Sequence, residues 1–459
     1  MIASYGDDSP IAAFATLPGN SALTLIRCSG KGSLECAAGV FSAPRTMLEA
    51  AGNTIIHGWI VSPGTKERID DVLVSVFRAP KSYTGEDGLD ISCHGGNAAG
   101  KAVLTVLQAA GFRDALPGEF TFRAFMNGKI DLTRSESVME LVCARTDQSR
   151  HNAVSRLSGI LENEINEIKT RLVTALGAAE ILLDYSEDEI SADADEIAGL
   201  LPRRDLVLES LERLEQLARS WQRERLYQEG ILAVIAGRPN AGKSSLFNLL
   251  LNEERSIVTE IPGTTRDWIE AWVSIEGIPI RLADTAGLRE PGDPVEKIGV
   301  ERSRHLIEAA GLIIYLVDGE AGFTGEDKAF IAELPQDTPL LLLWNKADLN
   351  PQPSMEISFL SISAKTGEGI DAIPPAMARV ILEKTAQAAL GSASLGTLRQ
   401  KNLVERAIAA LQEALDSTEP LDLIAPMLKD AVNALGEITG EVSTADILEE
   451  MFSRFCVGK

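Results

Sequence analysis

The sequence predicts an α/β domain inserted in an α-helical domain, preceded by an α+β domain. Short strand-like runs between glycine and proline turns fill residues 1–127, and apolar residues at helical spacing fill residues 128–224. Strands then alternate with helices over residues 225–382, and helical spacing returns over residues 383–459. Because exposed sites tolerate insertions, we expect residues 128–224 and 383–459 to form one discontinuous helical domain.

The first domain contains runs of β-branched residues that are typical of strands. They lie at residues 23–27, 54–61 and 70–77. Residues 101–110 have apolar positions at helical spacing and are followed by Gly111, a residue type that often ends helices. These patterns together predict a mixed α+β domain.

The helical region contains two long apolar stripes. Residues 154–183 place an apolar residue every three or four positions, which predicts one continuous helix, and a second stripe runs over residues 207–221. The acidic segment at residues 186–196 is predicted to be a solvated loop. Short apolar strands of the α/β domain are predicted at residues 231–236, 278–283, 312–317, 340–344 and 357–362.

Composition limits the class of protein. The formal net charge of −24 opposes a general affinity for nucleic acid, so such contacts require a local basic patch or a partner. The five cysteines are scattered without metal-ligand spacing, which argues against a disulfide framework and a zinc site. No apolar run approaches the roughly 18 residues of a membrane span, and the first residues do not resemble a signal peptide. We expect a cytoplasmic protein without a membrane association.

One stretch predicts a nucleotide site. Gly237-Arg-Pro-Asn-Ala-Gly-Lys-Ser244 matches the phosphate-binding loop pattern between a predicted strand and a predicted helix. Glycines in such a loop let backbone N–H groups point at phosphate oxygens, next to a helix N-terminus. We expect Lys243 to contact the phosphates and the Ser244 hydroxyl to bind Mg²⁺.

Three further motifs indicate that the base is guanine. Asp284-Thr-Ala-Gly287 follows a strand and is placed to reach Mg²⁺ and sense the terminal phosphate. Asn345-Lys-Ala-Asp348 ends another strand, and its aspartate can accept hydrogen bonds from the two donors of guanine, which adenine lacks. Ser363-Ala-Lys365 follows the last strand. The order of these motifs predicts a P-loop GTPase domain.

The residue that orients the attacking water is not evident from these motifs. Leu288 stands where many GTPases carry a glutamine. Arg238, Arg266 and Arg289 lie near the site in sequence and are candidates to stabilise the transition state, although a surface arginine is more often simply solvated.

Several specific motifs resemble one known family. They are Thr259-Glu-Ile-Pro-Gly-Thr-Thr-Arg-Asp267, Lys81-Ser-Tyr-Thr-Gly-Glu-Asp87, Cys93-His-Gly-Gly96, Pro117-Gly-Glu-Phe-Thr-Phe-Arg-Ala-Phe125, Asn127-Gly-Lys-Ile-Asp-Leu132 and Phe455-Cys-Val-Gly-Lys459. The first resembles the switch segment of the TrmE–Era class. From Ile11 to Lys459 the chain resembles the MnmE (TrmE) family of bacterial tRNA-modification GTPases.

The resemblance implies a full set of nucleotide contacts and an unusual metal ion. The implied GTP-binding residues are Asn240, Ala241, Gly242, Lys243, Ser244, Ser245, Thr259, Glu260, Ile261, Pro262, Gly263, Thr264, Thr265, Asp284, Thr285, Ala286, Gly287, Asn345, Lys346, Asp348, Ser363, Ala364 and Lys365. A K⁺ ion supplies the charge that an arginine supplies elsewhere, and its implied ligands are Asn240, Thr259, Ile261 and Thr264. Ser244 and Thr265 are the implied Mg²⁺ ligands, and Glu296 is the implied catalytic residue that orients water.

The resemblance also implies that the first domain binds 5-formyl- or 5,10-methylene-tetrahydrofolate and forms the homodimer. The implied folate contacts are Arg27, Glu86, Lys129 and Lys459. Glu86 suits the pterin amino group, and the cations suit the folate carboxylates. Each of these residues by itself is also typical of a solvated charge. Cys456, near the implied folate, is a candidate reactive thiol.

The resemblance implies action on tRNA together with MnmG, an FAD-dependent partner. The pair adds an aminomethyl or carboxymethylaminomethyl group to C5 of the wobble uridine, position 34, of certain tRNAs, and hydrolysis is coupled to dimerisation of the GTPase domains. Two alternatives stay open: a regulatory GTPase of ribosome assembly, and a folate-dependent transferase with a vestigial GTPase domain. The intact nucleotide motifs argue against the second alternative.

Overall fold

A computed structural model describes most of the chain as two compact units. The described residues are 5, 7–17, 19–184, 201–253, 270–284, 305–334, 338–353, 357–383 and 393–458. The first unit comprises Met1–Met139 with Val432–Lys459, and the second comprises Glu140–Ala431.

The described strands form two sheets. Their bounds are β1 (Ile11–Phe14), β2 (Leu23–Ser29), β3 (Thr54–Val61), β4 (Arg68–Phe77), β5 (Gly88–His94), β6 (Arg113–Asp114), β7 (Ile231–Gly237), β8 (Glu270–Ile275), β9 (Ile278–Asp284), β10 (Leu312–Asp318), β11 (Leu340–Asn345) and β12 (Leu360–Ser361). The orders are β3-β4-β5-β2-β1-β6 and β12-β11-β10-β7-β9-β8.

The described α-helices have the following bounds. They are α1 (Ser33–Ala38), α2 (Pro44–Glu49), α3 (Asn97–Ala109), α4 (Glu119–Met126), α5 (Leu132–Cys143), α6 (Asp147–Leu157), α7 (Ile160–Asp184), α8 (Arg204–Glu229), α9 (Lys243–Glu253), α10 (Gly325–Glu333), α11 (Ile373–Leu382), α12 (Leu398–Asp416), α13 (Leu421–Thr439) and α14 (Ala445–Ser453). Among the residues described, no helix combines the length and the apolar character needed to span a membrane.

The first sheet carries the α+β core. Its strands pair antiparallel except for β1 with β6, and the three strands expected at residues 23–27, 54–61 and 70–77 are β2, β3 and β4. Alternate residues of these strands are buried against α3, with Ile26 and Val74 packing in one cluster with Leu107. One side of the sheet is therefore a closed core, as a half-buried antiparallel sheet requires.

The prediction of one continuous helix over residues 154–183 is wrong. Two helices, α6 and α7, meet at Ser158 and Gly159, and Gly159 has a φ of +94°. A left-handed residue ends a helix, so the apolar spacing continues across a break that it does not reveal. The second stripe lies on α8, where Val207 and Leu214 are fully buried.

Helices from both sides of the α/β domain pack together, as expected. α12, which follows that domain, packs along α8, which precedes it, and α8 also packs on α7. Val404 and Leu411 of α12 are fully buried. The second unit thus contains an α/β domain inserted between helices that contact each other.

The second sheet has helices on both faces and holds the predicted nucleotide motifs. β7, β9, β10, β11 and β12 are parallel, whereas β8 pairs antiparallel with β9 through a tight turn at Glu276 and Gly277. Sequence patterns did not predict β8. The strand expected at residues 357–362 is limited to Leu360–Ser361, because only these residues pair with the edge of β11.

Candidate functional site

The phosphate-binding loop has the backbone conformation that its glycines permit. Gly237 ends β7 with a φ of +144°, and a Cβ there would collide with the Leu316 carbonyl oxygen. Gly242 has a φ of +98°, and a Cβ there would collide with the side-chain amide of Asn345. Asn240 also lies in the left-handed region, at +63°, which asparagine tolerates better than most residues. The loop shape therefore depends on the two glycines that the motif specifies and on Asn240, at a position that the motif leaves open.

The loop lysine and serine are held by short hydrogen bonds. The Lys243 ammonium donates to the carbonyl oxygens of Gly237 and Arg238 at 3.0 and 2.8 Å. The Ser244 hydroxyl donates to Asp284 Oδ2 at 2.7 Å. The hydroxyl at the start of α9 and the carboxylate at the end of β9 form a pair of hard oxygen donors of the kind that Mg²⁺ takes. The predicted Mg²⁺ ligand and the predicted Mg²⁺-facing aspartate are thus brought together.

Asn345 connects two of the motifs. Its side chain is buried, its amide donates to the Ala241 carbonyl oxygen at 2.7 Å, and its Oδ1 accepts from the Ala364 N–H at 2.9 Å. The Ser363 hydroxyl donates to Asp348 Oδ1 at 2.7 Å. The phosphate loop and both base-recognition motifs therefore form one hydrogen-bonded unit.

Sequence reasoning missed Asp318, which belongs to this unit. The Lys346 ammonium donates to Asp318 Oδ2 at 2.7 Å, and this hydrogen bond raises the pKa of Lys346. Asp318 ends β10 directly beside Asn345 at the end of β11. A carboxylate that follows a buried strand, at the sheet edge where ligands bind, is the signal that could have identified it.

The remaining predicted residues are exposed, bonded to groups outside the site, or outside the described part of the chain. Ser245 and Lys365 are exposed. Arg238, a candidate to stabilise the transition state, is engaged elsewhere, since its Nε lies 3.0 Å from Glu326 Oε2 and its Nη1 donates to the Thr324 hydroxyl at 3.4 Å. The following predicted residues lie outside the described part of the chain: Thr259, Glu260, Ile261, Pro262, Gly263, Thr264, Thr265, Arg266, Thr285, Ala286, Gly287, Arg289, Glu296 and Lys459.

The first unit holds a second polar cluster that contains the predicted Arg27. Arg27 Nε and Nη2 donate to Asp90 Oδ1 and Oδ2 at 3.1 and 3.4 Å. Its Nη1 donates to the carbonyl oxygen of Gly458 at 3.5 Å, and its guanidinium lies 5.9 Å from the ring centre of Tyr83. The carboxyl-terminal segment therefore reaches the strand that carries Arg27.

Glu86 belongs to the loop before β5, and Lys129 contacts the same loop. Glu86 Oε2 accepts from the Ser29 hydroxyl at 2.9 Å, and the Lys129 ammonium donates to the Pro80 carbonyl oxygen at 2.9 Å. The thiol-bearing Cys456 is exposed, and its carbonyl oxygen accepts from the Gly118 N–H at 3.3 Å. Asp90 and Ser29 were missed by sequence reasoning, since ordinary strand residues carry no motif.

Two family models match the chain. The model of the GTP-binding protein TrmE N-terminus covers residues 10–129, and the model of the MnmE helical domain covers residues 132–456. A crystal structure of Aquifex aeolicus Era bound to GDP.AlF4- is 23% identical and aligns with 39% of this chain and 66% of its own. The TM-score of this alignment is 0.27, which is too low to support a conclusion about fold or function.

Curated relatives match from end to end. A tRNA modification GTPase MnmE of Treponema denticola is 42% identical over an alignment of 479 positions, which covers all of this chain and all of its own. One of Carboxydothermus hydrogenoformans is 39% identical over 98% of this chain and all of its own. With this identity over the whole length, and with both family models, the chain belongs to the MnmE family of tRNA modification GTPases.

Proposed function

We propose that this protein is a K⁺-activated GTPase that acts in tRNA modification. With the FAD-dependent partner MnmG, it adds an aminomethyl or carboxymethylaminomethyl group to C5 of the wobble uridine of certain tRNAs. The observation that carries the proposal is the 42% identity, over the whole chain, to a tRNA modification GTPase. The connected nucleotide motifs around Asn345 support GTP as the substrate. We also propose a cytoplasmic location, because a tRNA substrate fits it.

In this proposal the loop residues bind and orient GTP. Lys243 contacts the β- and γ-phosphates, Asp348 accepts from the guanine donors, and Asn345 keeps the two regions in register. The pairing of Ser244 with Asp284 at 2.7 Å fits a Mg²⁺ site, which Thr265 completes. The bound Mg²⁺ neutralises charge that develops on the phosphates.

Hydrolysis then depends on residues that meet when two GTPase domains associate in a homodimer. Asn240, Thr259, Ile261 and Thr264 hold K⁺, which supplies the positive charge that an arginine supplies in other GTPases. Asn240 is an exposed residue of the phosphate loop with a left-handed backbone, which supports its role. Glu296 orients the attacking water.

The first domain binds 5-formyl- or 5,10-methylene-tetrahydrofolate as the source of the carbon unit. Glu86 accepts hydrogen bonds from the pterin, while Arg27, Lys129 and Lys459 pair with the acidic and amide oxygens of the folate. Cys456 is a candidate reactive thiol because it is exposed and its backbone lies in the same unit as Arg27. The Glu86 carboxylate suits the pterin end of such a ligand, and the cations suit its acidic end.

We further propose three domains: a folate-binding and dimerisation domain at residues 1–127, a helical domain at residues 128–224 and 383–459, and a GTPase domain at residues 225–382. The overall proposal is tested by analysing wobble-uridine modification in cells that lack the protein. We expect the modification to be lost and to return with the wild-type gene. Normal modification in such cells would exclude this function and favour a GTPase of ribosome assembly.

A further inference from the structure

The loop that carries Glu86 is hydrogen-bonded to α4 and to the turn after it. The Tyr83 hydroxyl lies 2.9 Å from the hydroxyl of Thr121, a fully buried residue of α4. The Asn127 amide donates to the Thr84 carbonyl oxygen at 2.8 Å. The segment Pro117-Gly-Glu-Phe-Thr-Phe-Arg-Ala-Phe125, which the proposed function does not use, therefore underlies the proposed pterin contact.

An ion pair joins Arg123 to Glu86. Arg123 is 5% exposed, and its Nη1 donates to both Glu86 oxygens, at 3.3 and 3.2 Å. The Ser29 hydroxyl adds one bond to Oε2 at 2.9 Å. A carboxylate offers about four acceptor positions, so acceptor capacity remains for a ligand. Within the described residues, Oε1 accepts from Arg123 alone.

Arg123 cannot turn away from Glu86, because its other nitrogens are also engaged. Its Nη2 donates to Glu119 Oε1 at 2.9 Å and to the carbonyl oxygen of Ser9 at 2.9 Å. Glu119 is fully buried and also accepts from Arg113 Nη1 at 2.8 Å. A guanidinium held at its other nitrogens keeps Nη1 in place, and Nη1 in turn limits the positions that the Glu86 carboxylate can take.

We infer that Arg123 is a positioning residue that fixes the Glu86 carboxylate for the paired donors of an aminopyrimidine ring. The inference rests on the folate role proposed above. Arg123 does not touch the ligand, since Glu86 lies between them. Lysine in its place keeps the charge but cannot hold Glu119 and Glu86 at once with a fixed geometry.

The test compares two ligands that differ only at the 2-amino group, one of the two donors from which Glu86 would accept a hydrogen bond. Affinities of full-length protein for 5-formyltetrahydrofolate and its 2-desamino-2-methyl analogue are measured by titration calorimetry. We expect the wild type to prefer the natural ligand by about tenfold or more, the scale of one hydrogen bond to a charged group. Arg123→Lys should weaken the natural ligand about tenfold more than the analogue, which keeps only one of the two donors, so that the preference disappears.

A double-mutant cycle and a matched control separate positioning from damage to the fold. Glu86→Gln should remove the same preference, and the double variant with Arg123→Lys should be no weaker than Glu86→Gln alone. Arg113→Lys changes the far end of the same ion chain and should keep the preference. If Arg123→Lys does not fold, the double variant Arg123→Gln with Glu119→Gln is used in its place. It removes both buried charges together, so that neither is left unpaired with the other.

Two results overturn the inference: an unchanged preference in a folded Arg123 variant, or equal weakening of both ligands, which a purely structural role would produce. If the wild type binds neither ligand, the folate role fails, and this inference fails with it. These outcomes are distinguishable because the wild-type measurement stands alone.

Discussion

The nucleotide site and the polar cluster around Glu86 are fixed in different ways. At the nucleotide site, Asn345 bonds to main-chain groups of Ala241 and Ala364, and close backbone approaches require Gly242. Around Glu86 the central group is the Arg123 side chain, which lies between two carboxylates and also bonds to a main-chain carbonyl oxygen. Close backbone approach is therefore most important at the first site, and buried ion pairing is most important at the second.

The two sites are therefore sensitive to different substitutions. A backbone-fixed site tolerates many side-chain changes but not a new Cβ at a left-handed glycine. A site fixed by buried ion pairs keeps its backbone when one partner changes, but the partner left behind is an unpaired buried charge.

The largest expected effect concerns charge at the nucleotide site, which we propose comes from K⁺ rather than from a built-in arginine. Replacing K⁺ by Na⁺ should slow GTP hydrolysis about 10³-fold, the lower end of what an arginine finger contributes elsewhere. Steady-state hydrolysis at equal ionic strength measures this, with nucleotide affinity as a control. Glu296→Ala is the reference variant, with binding retained and turnover lost. Equal rates in the two salts would remove K⁺ from the mechanism.

The next effect concerns the backbone of the phosphate loop. Gly242→Ala should weaken GTP binding about 30-fold or more, because the added Cβ meets Asn345 and the left-handed φ of +98° becomes strained. Gly322→Ala is the matched control, since Gly322 also has a positive φ, +74°, but has open space at its Cβ. Fluorescent GTP analogue titrations compare the two. Similar affinities in both variants would show that the close approach to Asn345 is unimportant.

Local patterns predicted those parts of the fold that depend on neighbouring residues. The strand at residues 54–61 has the observed bounds, and the phosphate loop lies between β7 and α9 as expected. The break between α6 and α7 was not predicted, because apolar spacing continues across Ser158 and Gly159. Spacing reports which face is buried, not whether the backbone is continuous.

The sites were predictable only where a motif defines them. Lys346 was identified from its motif, but its partner Asp318 is 28 residues away and joins it only because β10 and β11 are adjacent. Arg123 and Glu86 are 37 residues apart and meet through the packing of α4. Such pairs are set by the tertiary fold, so one sequence without its structure cannot reveal them.

The smallest predicted effect tests the side-chain-fixed region with a single hydroxyl. Thr121→Val removes the partner of the Tyr83 hydroxyl while nearly preserving shape, and we expect a loss of about 1 kcal/mol in the free energy of unfolding of the first unit. The cost is modest because Tyr83 is 40% exposed, so water can replace the lost partner. Thr121→Ser keeps the hydroxyl and is the matched control. Urea unfolding followed by a probe in the first unit gives the difference, while GTP hydrolysis should be unchanged. If the serine and valine variants lose the same stability, packing of the methyl group, rather than the hydrogen bond, fixes this loop.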